Sequence, residues 1–107
     1  LQAFAGCTAT VLRAEDLFAR TGGEEFCVLL PETGLAAAHA LAERVRERTA
    51  HCRVEGAPAL HFSVSLGVAS LVIGDAGFEA LFSRADDALY EAKRLGRNRT
   101  VASTAAR

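Results

Sequence analysis

A glycine pair followed by two carboxylates and an aromatic, Gly22-Gly23-Glu24-Glu25-Phe26, is the first group of residues with chemical potential. At the tip of a hairpin, glycines tolerate the positive φ that tight turns need, and their missing side chains let a phosphate chain approach the backbone. Consecutive strand residues point to opposite faces, so Glu24 and Glu25 do not form a paired acid/base couple. One can hold a hard cation while the other does different work. The same string also reads as a plain turn followed by solvated carboxylates on a sheet edge. Further along, Lys93 and Arg97 stand four residues apart, on roughly one side of a helix end. Taken alone, they are cations that complement the helix dipole. Upstream, Arg13-Ala14-Glu15-Asp16 is an R-x-x-D string, a pairing that by itself marks only solvated charges.

The elements that must hold these groups are legible from periodicity. Leu1, Phe4, Ala5, Thr8, Val11 and Leu12 recur at helical spacing, which predicts an amphipathic helix ending near Ala14. Asp16–Arg20 and Glu24–Leu30 are short apolar runs on either side of Gly22-Gly23 and predict a β-hairpin closed by Pro31. From Gly34 to Ala50, Leu35, Ala38, Ala42, Val45 and Thr49 form one helical stripe, with Glu43, Arg46 and Glu47 elsewhere on the helix. His51–Pro58 reads as a loop. Leu60, Phe62, Val64, Leu66 and Val68 then alternate with smaller or polar residues, which predicts a strand through Ala69. After a turn at Gly74–Gly77, with Asp75 as a helix cap, a second long helix runs from Phe78 to Leu95. Its stripe is Phe78, Leu81, Phe82, Ala85, Ala88, Leu89 and Ala92, and Gly96 is its stop. Arg99–Ala102 is a last short strand, and Ser103–Arg107 a frayed tail. The expected class is α+β, with helices against a largely antiparallel sheet.

Composition narrows the function. The 107 residues suit one domain, and half of them are hydrophobic, which excludes disorder. With 12 Lys and Arg against 13 Asp and Glu, net charge −1, no surface is built to wrap a nucleic-acid backbone or coat an anionic membrane. No apolar run approaches the length of a membrane span, so no membrane contact is expected from this segment. Cys7, Cys27 and Cys52 lack a CxxC pair and read as reduced thiols in a reducing compartment. His39, His51 and His61 show no metal-ligand spacing.

Three strings and their surroundings carry a family resemblance, and a fourth gains meaning from it. Gly22-Gly23-Glu24-Glu25-Phe26, preceded by Arg20 and followed by Val28-Leu29-Leu30-Pro31, resembles the GGEEF version of the motif that names the GGDEF diguanylate cyclases. Ser65-Leu66-Gly67-Val68-Ala69 resembles the family's S-x-G-x-A. Ala85-Asp86, Ala88-Leu89-Tyr90, Ala92-Lys93 and Gly96-Arg97-Asn98 resemble its last helix and the turn that follows. Arg13 and Asp16, six residues before Gly22, stand at the offset of the family's inhibitory R-x-x-D.

The resemblance implies a nucleotidyl-cyclase, ferredoxin-like palm that joins two GTP into cyclic di-GMP and releases pyrophosphate, with two domains face to face as a homodimer. It implies that Glu24 ligates Mg²⁺ (or Mn²⁺), that Glu25 shares the catalytic site, and that Gly22 and Gly23 let the nucleotide lie against the turn. Lys93 and Arg97 would contact the terminal phosphates, where neutralising the leaving group assists in-line transfer. Arg13, Asp16 and Arg44 would bind cyclic di-GMP as an inhibitor. An Arg fork donates to guanine O6 and N7, and a carboxylate accepts from the opposite edge. Read without the family, Arg44 is a solvated helix charge. Phe26, Leu89 and Tyr90 are expected to pack.

The family's opening strings, D-x-D/F-x-x-F-K-x-x-N-D and G-H-x-x-G-D, do not occur in these residues. They supply a second metal-ligating Asp, the guanine contacts and a middle strand. The expectation is therefore a GGDEF domain incomplete at its N-terminus, inactive by itself, within a cytoplasmic or membrane-tethered cyclase. The alternative is a non-catalytic cyclic di-GMP receptor or dimerisation module.

Overall fold

A computed structural model describes residues 2–22, 25–52, 63–72 and 74–103. The order of elements is α1 (Gln2–Ala9), β1 (Leu17–Arg20), β2 (Phe26–Leu29), α2 (Leu35–Ala50), β3 (Leu66–Val68), α3 (Phe78–Arg94) and β4 (Thr100–Ala102). The class is α+β, as expected. β1 and β2 pair antiparallel, with Leu17 opposite Leu29 and Arg20 opposite Phe26. β3 and β4 pair in parallel, with Gly67 opposite Val101, so among the described residues antiparallel pairing is confined to the hairpin. Among the described residues the two sheets share no strand pairing.

The two long helices sit where the periodicity put them, and small residues explain their close approach. Ala38, Ala42, Val45 and Thr49 of α2 are buried. Ala38 and Ala42 cluster with Val68 of β3, flanked by half-buried Leu30, Leu35 and Leu66. Side chains alternate along a strand, so Leu66 and Val68 face α2 while Gly67 faces α3. The two helices therefore cover opposite faces of the β3–β4 pair. In α3 the buried residues are Ala88 and Ala92. Phe78 and Tyr90 of the same helix are 52% and 70% exposed, so the packing role expected for Tyr90 is corrected.

Three further expectations are revised. α1 ends at Ala9 rather than near Ala14, because local side chains offer the backbone other partners. Thr10 Oγ1 donates to the Cys7 carbonyl at 2.7 Å, and the Asp16 carboxylate takes the Arg13 N–H at 2.8 Å. The third strand spans only Leu66–Val68, the length that β4 can pair; residues 63–65 lie outside it. Leu60 and Phe62 of the expected run, and most of the His51–Pro58 loop, fall outside the described residues, as do residues 104–107 of the tail. Asp75 does not cap α3. Gly77 occupies the cap position with φ 129° and no side-chain bond. Asp75 instead accepts the Val72 N–H at 2.9 Å and pairs with Arg84, whose Nη2 also donates to the Ser70 carbonyl at 2.7 Å.

The cysteines give the largest correction. Cys7 and Cys52 form a disulfide rather than two reduced thiols. α1 docks on α2, and the chain leaving α2 carries Cys52 to a Cα–Cα distance of 6.5 Å from Cys7. A separation of 45 residues conceals that proximity in the sequence. Cys27 stays a free, half-buried thiol, and burial pushes its pKa up.

Candidate functional site

The hairpin tip is closed by its own backbone. The Glu25 carbonyl accepts the N–H groups of Thr21 at 2.9 Å and Gly22 at 3.3 Å, and Arg20 Nε donates to the Gly22 carbonyl at 3.0 Å. Beneath the tip, the rings of Phe18 and Phe26 lie 5.3 Å apart on one face of the hairpin. This aromatic pair bears out the packing role of Phe26. Glu25 is exposed, one residue before the second strand. Gly22 has no left-handed φ, and a Cβ there would meet only the Glu25 Cβ at 3.8 Å. Among the described residues, neither backbone conformation nor a neighbouring atom requires its lack of a side chain. Gly23 and Glu24 lie outside the described residues.

Lys93 and Arg97 flank the glycine that ends α3. Lys93 occupies the last helical turn, and Gly96 ends the helix at φ 119°. The Gly96 N–H reaches the Lys93 carbonyl at 3.3 Å, and the Arg97 N–H reaches the Ala92 carbonyl at 2.9 Å. This is the bonding by which a glycine terminates a helix. Both cations are exposed beside the negative end of the helix dipole. Beyond Gly96, Arg97 and Asn98 also take left-handed φ values of 65° and 49°.

Arg13 and Asp16 form a tight ion pair. Arg13 Nη2 lies 3.0 Å from Asp16 Oδ1, and Arg13 Nε lies 3.3 Å from Oδ2. Hydrogen bonds from Arg13 hold the Asp16 carboxyl below the usual carboxylate range. The Asp16 side chain is covered, whereas that of Arg13 is 44% exposed. Arg13 Nη2 also donates to Thr33 Oγ1 at 2.8 Å, which ties this turn to the entry of α2. Arg44 lies on α2, where it lines a shallow cleft with Glu47, Arg48 and His51. Arg48 Nη1 donates to Thr10 Oγ1 at 3.0 Å, a second link between α2 and the segment after α1.

The sequence matches the family described as "Diguanylate cyclase, GGDEF domain" over residues 1–99. The chain belongs to the GGDEF diguanylate cyclase family. It is 46% identical over 103 residues to the diguanylate cyclase DgcM of Escherichia coli, covering 96% of this chain and 24% of that protein. The chain thus spans about a quarter of the length of that curated relative. Among solved structures it resembles the active GGEEF domain of a diguanylate cyclase from Vibrio cholerae, with a TM-score of 0.85 and 37% identity. That match covers 94% of this chain and 64% of the other. It also resembles the GGDEF domain of DgcB from Caulobacter crescentus in complex with c-di-GMP, with a TM-score of 0.85 and 29% identity over 95% and 61% of the two chains.

Several residues near these sites have no role in the sequence reading. Gly67, Ser65 and Asn98 fall inside the quoted family strings, but spacing alone says nothing of what they touch. Glu43 and Arg46 read as surface charges, yet they pair at 2.9 Å beside the turn that carries Arg97. The i, i+3 spacing was the available signal for that pair.

Proposed function

We propose that this chain forms the greater part of a catalytic domain that condenses two GTP molecules into cyclic di-GMP and pyrophosphate. The observation that carries the reading is the exposed pair Lys93 and Arg97 around the glycine-ended α3, in a chain that keeps Gly22 to Phe26. These cations meet the terminal phosphates, and Gly22 and Gly23 admit the nucleotide to the hairpin. Glu24 is a hard oxygen donor suited to Mg²⁺ or Mn²⁺, and Glu25 lies beside it as the second catalytic carboxylate. The metal, when bound, would neutralise charge on the phosphates. Two such domains must face each other, because each GTP supplies the 3′-hydroxyl that attacks the other.

Arg13, Asp16 and Arg44 form the product-inhibition site in this reading. Guanine binds by exchanging part of the Arg13–Asp16 pairing for its own edge, with Arg44 adding charge from α2. The substrate places the domain in the cytoplasm. There the Cys7–Cys52 bridge depends on shielding; Cys52 is buried and Cys7 half-buried. Among the described residues, no helix is long and apolar enough to cross a membrane.

The test is turnover of GTP with Mg²⁺ by the complete natural polypeptide, read as cyclic di-GMP and pyrophosphate. Glu24→Gln is expected to abolish product, and Arg97→Ala to raise KM for GTP. Calorimetry is expected to show cyclic di-GMP binding that Arg13→Ala weakens at least tenfold. Binding without turnover would favour the receptor reading, and neither would overturn both. The 107 residues alone are expected to be inactive, since they carry one of the family's metal-binding strings and not the other. Cyclic di-GMP formed by that segment would refute this.

A further inference from the structure

The turn after α3 has a demanding shape. Arg97 and Asn98 follow one another with φ 65° and 49°, a region that costs free energy for any residue with a Cβ. Asparagine tolerates it better than most, arginine does not. Two such residues in succession persist only where contacts hold them.

Those contacts come from two other elements. The Asn98 N–H donates to Ser65 Oγ at 3.1 Å, just before β3. The Asn98 Oδ1 accepts from Arg46 Nη1 at 3.3 Å across 52 residues of sequence. Arg46 is itself fixed, because its Nε and Nη2 each donate to the Glu43 carboxylate at 2.9 Å. A planar fork held along one edge by two bonds has little freedom left, so its remaining nitrogen is aimed at Asn98. The side chain of Arg46 is only 24% exposed, unlike an ordinary solvated helix charge. On the other side of the turn, Arg99 Nε donates to the Arg97 carbonyl at 3.1 Å. Glu43, Arg46, Asn98 and Thr100 also line one shallow cleft between α2 and the chain leaving α3.

We propose that Glu43, Arg46, Ser65 and Asn98 are positioning residues for Arg97, holding the turn after α3 in the left-handed conformation that presents its guanidinium to the terminal phosphates of the nucleotide. This rests on the phosphate-binding reading of Lys93 and Arg97. None of the four touches the ligand. Ser65 and Arg46 fix the backbone and side chain of Asn98, and Asn98 fixes the residue before it. The turn links strand, helix and substrate contact, so a loss at Arg46 is felt as a misplaced Arg97.

The test compares GTP with GMP, which lacks the terminal phosphates, in competition binding to the complete natural polypeptide. Arg97→Ala, Arg46→Ala, Arg46→Lys, Asn98→Gly and the double variant Arg46→Ala/Arg97→Ala are compared with the unchanged protein. Asn98→Gly keeps the left-handed φ while removing the acceptor, so it spares the fold. Arg97→Ala is expected to weaken GTP and leave GMP unchanged. Arg46→Ala and Asn98→Gly are expected to weaken GTP about tenfold, the effect of losing a hydrogen bond to a charged group, again without change in GMP. Arg46→Lys, which keeps the charge and loses the fork, is expected to show most of that loss. The double variant is expected to bind GTP no worse than Arg97→Ala, because one contact is lost by two routes.

If Arg97→Ala leaves GTP binding unchanged, the phosphate reading itself is wrong. If Arg97→Ala weakens GTP while Arg46→Ala and Asn98→Gly do not, only the positioning proposal is overturned. Parallel losses for GTP and GMP, full additivity in the double variant, or an unaffected Arg46→Lys protein would overturn it as well.

Discussion

A methyl carbon placed on Gly67 would lie 2.1 Å from the carbonyl oxygen of Ala85. The same carbon would meet the Leu89 nitrogen at 2.3 Å and its Cα at 2.8 Å. All three are backbone atoms of α3, which cannot swing aside as a side chain would. β3 and α3 therefore approach closely because position 67 carries no side chain. Gly67→Ala is expected to destabilise the domain by about 3 kcal/mol, at the upper end of overpacking costs, by forcing the helix off the strand. Chemical denaturation of the variant measures this directly. A midpoint equal to that of the unchanged protein would show that α3 can shift freely.

The disulfide between Cys7 and Cys52 closes a loop of 45 residues around the hairpin and α2. In the chain-entropy account, a closure of that length restricts the unfolded state by about 4 kcal/mol. Cys52→Ser, or treatment with a dithiol reductant, is expected to lower the denaturation midpoint markedly. The reductant should have no effect on the Cys52→Ser variant. Thiol titration of the untreated, denatured protein should find Cys27 alone free. Three free thiols, or a midpoint indifferent to reductant, would contradict the bridge.

How far the sequence foretold this structure depends on the range of the forces involved. The stripe of α2 and the end of α3 at Gly96 are set by neighbours within a few residues, and both were legible from spacing. The Cys7–Cys52 bridge and the reach of Arg46 to Asn98 join residues 45 and 52 apart, and no local pattern announces them. Asp75 was misread because an Asp before a helix resembles a cap, whereas tertiary packing offered it Arg84. The candidate site divides the same way. Arg13 and Asp16 are three residues apart and pair as close neighbours, while the partners that fix the Arg97 turn came from α2 and from Ser65.

Thr8 and Thr49 are 1% and 0% exposed, and their hydroxyls find no hydrogen-bond partner among the described residues. α1 and α2, the helices that carry them, pack against each other. A buried hydroxyl without a partner forfeits its hydration and gains nothing in return. Valine keeps the branched shape and replaces the hydroxyl with a methyl group. Thr49→Val is expected to stabilise the domain by about 1 kcal/mol. A lower denaturation midpoint in the variant would mean that the hydroxyl has a partner after all.

The Glu43 carboxyl is held at about 2, against an ordinary value of 4.5, chiefly by its hydrogen bonds from Arg46. In the unfolded chain the same carboxyl titrates near 4.5. Between those values the unfolded state binds more protons than the folded one, so stability rises with pH across that window. The contribution is complete above about pH 4.5 and is lost as the pH falls towards 2. The carboxyls of Asp16, Asp75 and Glu91 are also lowered by Arg partners or backbone donors, so acid weakens the fold at several points with the same sign. Glu43→Gln removes one share of that slope. The variant is expected to be less stable near neutral pH by about 1 kcal/mol, the scale of a partly exposed ion pair, and to converge on the unchanged protein near pH 2. Denaturation midpoints measured from acid to neutral pH for the two proteins check this. Parallel curves across the window would show that Arg46 does not hold the Glu43 proton off in the folded state.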